Sequence, residues 1–365
     1  KNSSGSLMLN YAISNNNYAI ENFEFANGDK LTFNDIKALS LIGSDENDTI
    51  TGYNDMGGVI IGAKGNDSLN GGNKDEVYRY NLGDGDDTIT ERGGNNIIEF
   101  GEGISKSDIS VVRHYNGLKI FINNENNQGS ITITNDVSQA EVSLVPISEI
   151  KFANGETLIF EEIRKLSLIG SDNNETIEGY WELDNIIDGK AGNDTIYGGN
   201  KNDTLIGSLG NDSLNGGNGN DTYIYNKGDG NDTISDTAGN DTIEFGEGIS
   251  KDDIIISTLN NSGSLKISFK NDGGSITFST AIENIKFANG ETLNLEEIKT
   301  LSLIGKDSND KIYGFANRDN EIQGNAGDDE LNGNNANDTL IGGKGNDKLN
   351  GGNGNDTYIF NIGDG

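Results

Sequence analysis

From Gly189 to Ile224 the chain reads GKAGNDTIY, GGNKNDTLI, GSLGNDSLN, GGNGNDTYI, which places a carboxylate at Asp194, Asp203, Asp212 and Asp221. Asparagine precedes each aspartate, with glycine before it in all but the Asp203 unit, and a single apolar residue follows two positions on. Carboxylates repeated this densely either repel one another or hold a hard cation between them. An Asx turn accounts for one aspartate after glycine, but not for a register of them in a chain of formal net charge −33. Carboxylate oxygens together with the carbonyls of glycine turns make an all-oxygen, flexible ligand set. That chemistry suits calcium better than magnesium or zinc. It does not suit nucleophilic catalysis. The chain has one histidine, His114, and no cysteine, and neither a His-Glu-x-x-His nor a Gly-x-Ser-x-Gly motif occurs. The expectation is a protein without intrinsic enzymatic activity.

The elements that must position these carboxylates follow from the period. One apolar residue in nine is too sparse for a helical stripe, but it suits a short strand with one inward side chain that stacks on its neighbours in a parallel solenoid. The inward positions are Ile50, Leu69, Ile196, Leu205, Leu214, Ile312, Leu331, Leu340 and Leu349, with Tyr78, Tyr223 and Tyr358 closing their arrays. Two units make one coil of 18 residues, so Asp194 should align with Asp212, and Asp203 with Asp221. The units form three arrays, at 43–79, 170–224 and 305–359. In each, the second unit has ten residues (GYNDMGGVII, GYWELDNIID, GFANRDNEIQ), which predicts a bulge. A longer repeat contains the arrays. The phrases KALSLIGSD, RKLSLIGSD and KTLSLIGKD recur with FANGD or FANGE before them.

Composition agrees with a shallow fold. Of 365 residues 32% are hydrophobic and 52 are glycine, and 59 acidic residues face 26 basic ones. Such charge excludes phosphate-backbone binding and makes cations the first partners to expect. The absence of cysteine rules out disulfides and thiolate metal sites. No apolar run reaches membrane-spanning length. The opening at Lys1 and the stop at Gly365 within a motif read as an excerpt of a longer protein.

The pattern G-G-x-G-x-D-x-U-x, where U is a bulky apolar residue, resembles the glycine- and aspartate-rich nonapeptides of RTX (repeats-in-toxin) proteins. The stretch YNKGDGNDTISDTAGNDTIEFGEGISKDDI resembles the extension that follows such arrays. The resemblance implies an all-β fold of right-handed parallel β-roll (β-helix solenoid) blocks with Ca2+ in the turns. It also implies a secreted or surface-attached extracellular protein, exported by type I secretion machinery. Carried over residue by residue, the metal position falls on Asp48, Asp67 and Asp87 in the first array and its following turn. In the second it falls on Asp194, Asp203, Asp212, Asp221 and Asp232, and in the third on Asp310, Asp329, Asp338, Asp347 and Asp356. Glu76 and Glu175 replace the aspartate, and Lys74, Lys201 and Ala336 replace a glycine.

The expected organisation is a capping or linker module at 1–42, a roll at 43–90, a second module at 91–169, a roll at 170–235, a third module at 236–304 and a roll at 305–365. The modules carry alternating runs such as GLKIFI and SITF, read as antiparallel strands, and one short helix each. Asn294 and Glu297 are positioned to cap the last of these helices. The expected function is a calcium-binding region of a toxin or adhesin. The alternatives are an extracellular stalk or surface-layer protein, and the non-catalytic part of a secreted polysaccharide-modifying enzyme. A host surface or a polysaccharide is the candidate macromolecular partner.

Overall fold

The computed structural model describes residues 22–114, 117–124, 127–135, 147–260, 263–271 and 273–364. The chain divides into two compact units, Lys1–Ser167 and Leu168–Gly365. The division falls just after the helix Phe160–Leu166, where the second array begins, because glycine-rich coils contact only their neighbours along the stack.

In the second unit each nonapeptide contributes one short strand, and alternate strands enter opposite sheets. Thr195–Gly199 and Ser213–Gly217 lie in one, Thr204–Ile206 and Thr222–Tyr225 in the other. All these pairs are parallel. Ile196 lies opposite Leu214 and Leu205 opposite Tyr223, which is the 18-residue coil. The inward columns Ile177, Ile196, Leu214, Ile234 and Ile187, Leu205, Tyr223, Ile243 are buried. A second stack in this unit aligns Ile312 with Leu331 and Leu349, and Ile322 with Leu340 and Tyr358. Its last coil is more open, and Tyr358 is 52% exposed. One inward side chain, worth about 1.5–3 kcal/mol when buried, is a small return for ordering nine residues.

The first unit repeats the plan with columns Ile50, Leu69, Ile89 and Ile60, Tyr78, Ile98. The parallel, all-β roll expected from the period is therefore present, with few helices.

The segments between arrays are joined to the rolls more closely than their alternating pattern suggests. Ile254–Thr258, Leu265–Phe269 and Ser275–Phe278 pair antiparallel in series, but Ser275–Phe278 then adds to the roll sheet in parallel, against Asn231–Ser235. Ile282–Lys286 does the same on the other sheet. In the first unit Asn127–Asn135 and Ile147–Phe152 play these parts. Their pairing continues the open end of the first and second arrays' stacks, so no sheet edge is left at those coils. Rings fill the space beneath: Phe245 packs against Tyr225, Phe269 and Phe287.

Three short helices, Phe33–Leu39, Phe160–Leu166 and Leu295–Ser302, follow these segments. Asn294 and Glu297 form the expected capping box, with Asn294 Oδ1 accepting from Glu297 N at 3.1 Å and Glu297 Oε2 accepting from Asn294 N at 2.9 Å. Thr32 and Asp35 form another that the sequence reading did not assign. The ten-residue units place their extra residue in a turn and not within a strand. In the second array the strand stops at Glu178 and the next begins at Ile186, because Asn185 folds back to bond both the N–H and the carbonyl of Tyr180.

Candidate metal centres in the turns

Each turn is built from three residue ladders. The asparagine before each aspartate reaches along the stack: Asn193 Oδ1 accepts from Asn211 N, and Asn202 Oδ1 from Asn220 N, both at 2.8 Å. The aspartates reach the opposite way. Asp212 Oδ1 accepts from Asp194 N, and Asp221 Oδ1 from Asp203 N, both at 2.7 Å. The third ladder is glycine backbone at positive φ, packed so closely that a side chain on Gly230 would begin 1.8 Å from the Gly210 carbonyl oxygen. Alternation of glycine, asparagine and aspartate is thus the hydrogen-bonding code of a stacked turn.

One oxygen of each inner aspartate is left over. The Oδ2 atoms of Asp67, Asp194, Asp203, Asp212, Asp221, Asp329 and Asp338 are buried without a hydrogen-bond partner. A buried carboxylate oxygen left unpartnered costs free energy, so this repeated orphan marks a missing positive partner. Each leans over the first glycine of its own unit. A methyl placed on Gly198 would sit 2.6 Å from Asp203 Oδ2 and 2.6 Å from the Gly216 carbonyl oxygen. On Gly324 it would meet Asp329 Oδ2 at 2.3 Å and the Gly342 carbonyl at 2.4 Å. Carboxylate and carbonyl oxygens converge on a point that only glycine leaves open. These residues fit a hard cation.

Two asparagines show the same cage closed from within. Asn185 Nδ2 lies 2.7 to 3.3 Å from four oxygens: the carbonyls of Tyr180, Leu183 and Gly198, and Asp203 Oδ1. Asn320 Nδ2 does likewise with Phe315, Arg318, Gly333 and Asp338 Oδ1. An amide supplies the positive end of a dipole where the inner coils present bare oxygens. Neither asparagine was a sequence candidate, since each stands where the nonapeptide has aspartate.

The thirteen sequence candidates divide by position in the stack. Asp67, Asp87, Asp194, Asp203, Asp212, Asp221, Asp232, Asp329 and Asp338 are buried, whereas Asp48, Asp310, Asp347 and Asp356 are half-buried at stack ends. Asp87 and Asp232 belong to the ladders, accepting from Asp67 N and Asp212 N at 3.0 Å. Asp347 and Asp356 accept from Asp329 N and Asp338 N. Asp48 and Asp310 instead bond locally, to Ser44 N and Lys306 N, as does Glu175 to Ser171 N. Glu76, a departure from the motif, is nevertheless buried with both carboxylate oxygens unpartnered. Asp241, Asp236 and Glu91 were missed. The Gly239-Asn240-Asp241 triplet was the available signal for the first of them.

Burial pushes these carboxyls up: Asp194 and Asp203 to about 6, Asp221 and Asp232 to about 7, with neighbouring carboxylates adding to the rise. In the unfolded chain they titrate near 4. Without metal, the folded turns retain protons that the unfolded chain releases, so their contribution to stability is full below about pH 4 and is lost as pH rises through 6 to 7. Calcium needs the ionised form and reverses that dependence. Between pH 7.5 and 5.5 the calcium midpoint of folding should rise about tenfold or more, while strand content in chelator should be higher at pH 5 than at pH 8. A pH-independent midpoint by circular dichroism contradicts this.

The turn exposes one aromatic feature. Trp181 is 62% and Tyr197 45% exposed, and they border a groove of about 300 Å³ with Asn200, Asn215 and Asn218. Tyr180, beside Trp181, is buried. His114 ends a strand, and its side chain lies outside the described residues.

Comparison with known proteins agrees with this geometry. Stretches within residues 182–250 and 323–365 match the RTX calcium-binding nonapeptide repeat family. The chain carries an RTX-type repeat region, and these repeats bind multiple calcium ions. Among solved structures, the chain is similar to the extracellular lipase LipA from Serratia marcescens, with 20% identity over 65% of this chain and a TM-score of 0.24. The match spans 37% of the lipase chain. No curated protein matches the sequence. Among the described residues no helix is long and apolar enough to cross a membrane.

Proposed function

We propose that this chain is the calcium-folded, non-catalytic RTX region of a secreted or surface-attached bacterial protein of the toxin or adhesin kind. It crosses type I secretion machinery unfolded and folds where calcium is abundant. The observation that carries this reading is the row of buried aspartate oxygens without partners, a cost that the chain cannot meet with its 26 basic residues. RTX repeats are typical of secreted bacterial proteins, which supports an extracellular location. The groove beside Trp181 offers an aromatic face ringed by amides, chemistry that suits a polysaccharide or host-surface partner.

The test is the calcium concentration at which the chain folds. Extracellular calcium modules load at about 0.1–1 mM. A midpoint in that range, read by far-ultraviolet circular dichroism, supports folding after export. A midpoint far below a micromolar would have the chain fold before it leaves the cell and would overturn the reading.

A further inference from the structure

The coils that close the rolls of the first and second arrays depart from the pattern where an inner coil has its leading glycine. In inner coils the first residue of the unit is a glycine whose carbonyl approaches the aspartate of the preceding coil, as Gly216 does for Asp203. Asn215 lies opposite Ser235, a step of 20 residues, so the residue in register with Gly216 is Asp236. Asn70 lies opposite Thr90, again 20 residues on, and the residue in register with Gly71 is Glu91. A carboxylate side chain has replaced a glycine in both.

In the second unit Asp221, Asp236 and Asp241 each offer an oxygen, and these lie within 4.8 Å of one another. Asp221 is 1% exposed and Asp241 is fully buried. Asp221 Oδ2, Asp236 Oδ1 and Asp241 Oδ2 are buried with no hydrogen-bond partner. The other three oxygens are committed. Asp221 Oδ1 accepts from Asp203 N and Asp241 Oδ1 from Asp221 N, at 2.7 and 2.8 Å. Asp236 Oδ2 accepts from the Tyr223 hydroxyl, whose oxygen accepts from Gly216 N at 2.8 Å. Each carboxylate is thus held by one oxygen and points the other at a shared space.

The first unit presents a related arrangement in which the added carboxylate is already satisfied, since Glu91 Oε2 accepts from Arg92 N at 3.2 Å. Glu76, Glu91 and Asn96 stand in register with Asp221, Asp236 and Asp241, and all three are at least 99% buried. Both Glu76 oxygens lack a partner, the Tyr78 hydroxyl bonds Glu91, and Asn96 Oδ1 accepts from Glu76 N at 2.8 Å. Two aspartates have become glutamates and the third an asparagine, and the tyrosine anchor is kept, but both Glu91 oxygens are taken up by Tyr78 and Arg92, so this coil lacks the shared bare space of the second unit.

We propose that the closing coil of the second unit holds a cation site of its own kind, in which Asp236 supplies a side-chain carboxylate where the nonapeptide supplies a glycine carbonyl. The ligand is a hard divalent cation, calcium. The Asp221, Asp236 and Asp241 site is the tightest in the chain, because affinity rises with the number of charged ligands and with their rigidity, and the tyrosine fixes the added one. The inference rests on calcium loading of the turns, and it adds a site that the nonapeptide pattern does not contain.

A cation site and a packing role make opposite predictions for removal of the charge. Asp236→Asn should make the calcium-free chain no less stable, because it relieves repulsion among three buried carboxylates. In calcium it should weaken one ion at least tenfold. The experiment is calorimetric titration of calcium into the chelator-treated full chain, comparing wild type with Asp236→Asn, Asp236→Gly and Asp212→Asn. The expected result is loss of the tightest class of ion in both variants at 236, with the remaining ions within about twofold of wild type, and retention of that class in Asp212→Asn. Should Asp236→Asn not fold in calcium, Asp236→Gly decides, since it restores the residue that inner coils have at this register. An unchanged tightest class in either variant at 236 that folds overturns the proposal. Wild-type chain that takes up no calcium would instead overturn the functional reading beneath it.

Discussion

Chelation of calcium should remove most of the strand signal and expand the chain toward the roughly 70 Å radius of gyration of an unfolded polypeptide of this length. Among the described residues ten carboxyl groups carry a buried oxygen with no partner, in a chain of net charge −33. Once metal is withdrawn, each must take a proton, find water or repel its neighbour. A ligand at ten times its dissociation constant stabilises the folded state by about 1.4 kcal/mol per site, so around ten sites contribute on the order of 10 kcal/mol, as much as the whole stability of an ordinary domain. Magnesium at the same concentration should not restore the signal. It holds its water tightly and demands an octahedron that carbonyl-lined turns do not form. Scattering and circular dichroism in chelator check this, and a compact strand-rich chain there contradicts it.

Glycine to alanine substitution at Gly230 should be nearly as damaging, and a neighbour supplies its control. Gly230 and Gly228 share one turn and both have positive φ, +114° and +95°. A side chain on Gly228 meets nothing within 4 Å, but on Gly230 it lies 1.8 Å from the Gly210 carbonyl oxygen. Gly228→Ala therefore pays only the left-handed backbone penalty, about 1–2 kcal/mol. Gly230→Ala adds a clash between two backbones that cannot separate without opening the coil, for a total of about 3 kcal/mol or more. The calcium midpoint should rise modestly in the first variant and severalfold further in the second. Equal midpoints would mean that the coils are not stacked as described.

What the sequence disclosed was whatever repeats. A period of nine with one apolar residue fixes strand length, and a two-unit coil brings Asp203 and Asp221 into contact, as the hydrogen bond between Asp203 N and Asp221 Oδ1 shows. What it concealed lies where the period slips. Asp236 and Asp241 follow an insertion that lengthens the coil from 18 to 20 residues, so counting by nines does not reach them. Asn185 and Asn320 look like lost ligands, yet each spends its amide on the oxygens that elsewhere await a cation. Glu76 reads as a defect until Glu91 appears beside it, 15 positions away. The alternation in SITF identifies a strand but not its partner, because a period of two gives the buried face and says nothing of which edge receives it.

The central claim is that the unpartnered aspartate oxygens are calcium ligands. Anomalous scattering from crystals of the calcium-loaded chain tests it most directly. Ions should appear 2.3–2.6 Å from Oδ2 of Asp194, Asp203, Asp212 and Asp221, those at Asp194 and Asp203 also touching the carbonyls of Gly207 and Gly216 in the next coil. Ions found only at exposed carboxylates such as Asp172 and Asp184, with these oxygens left bare, would contradict the account.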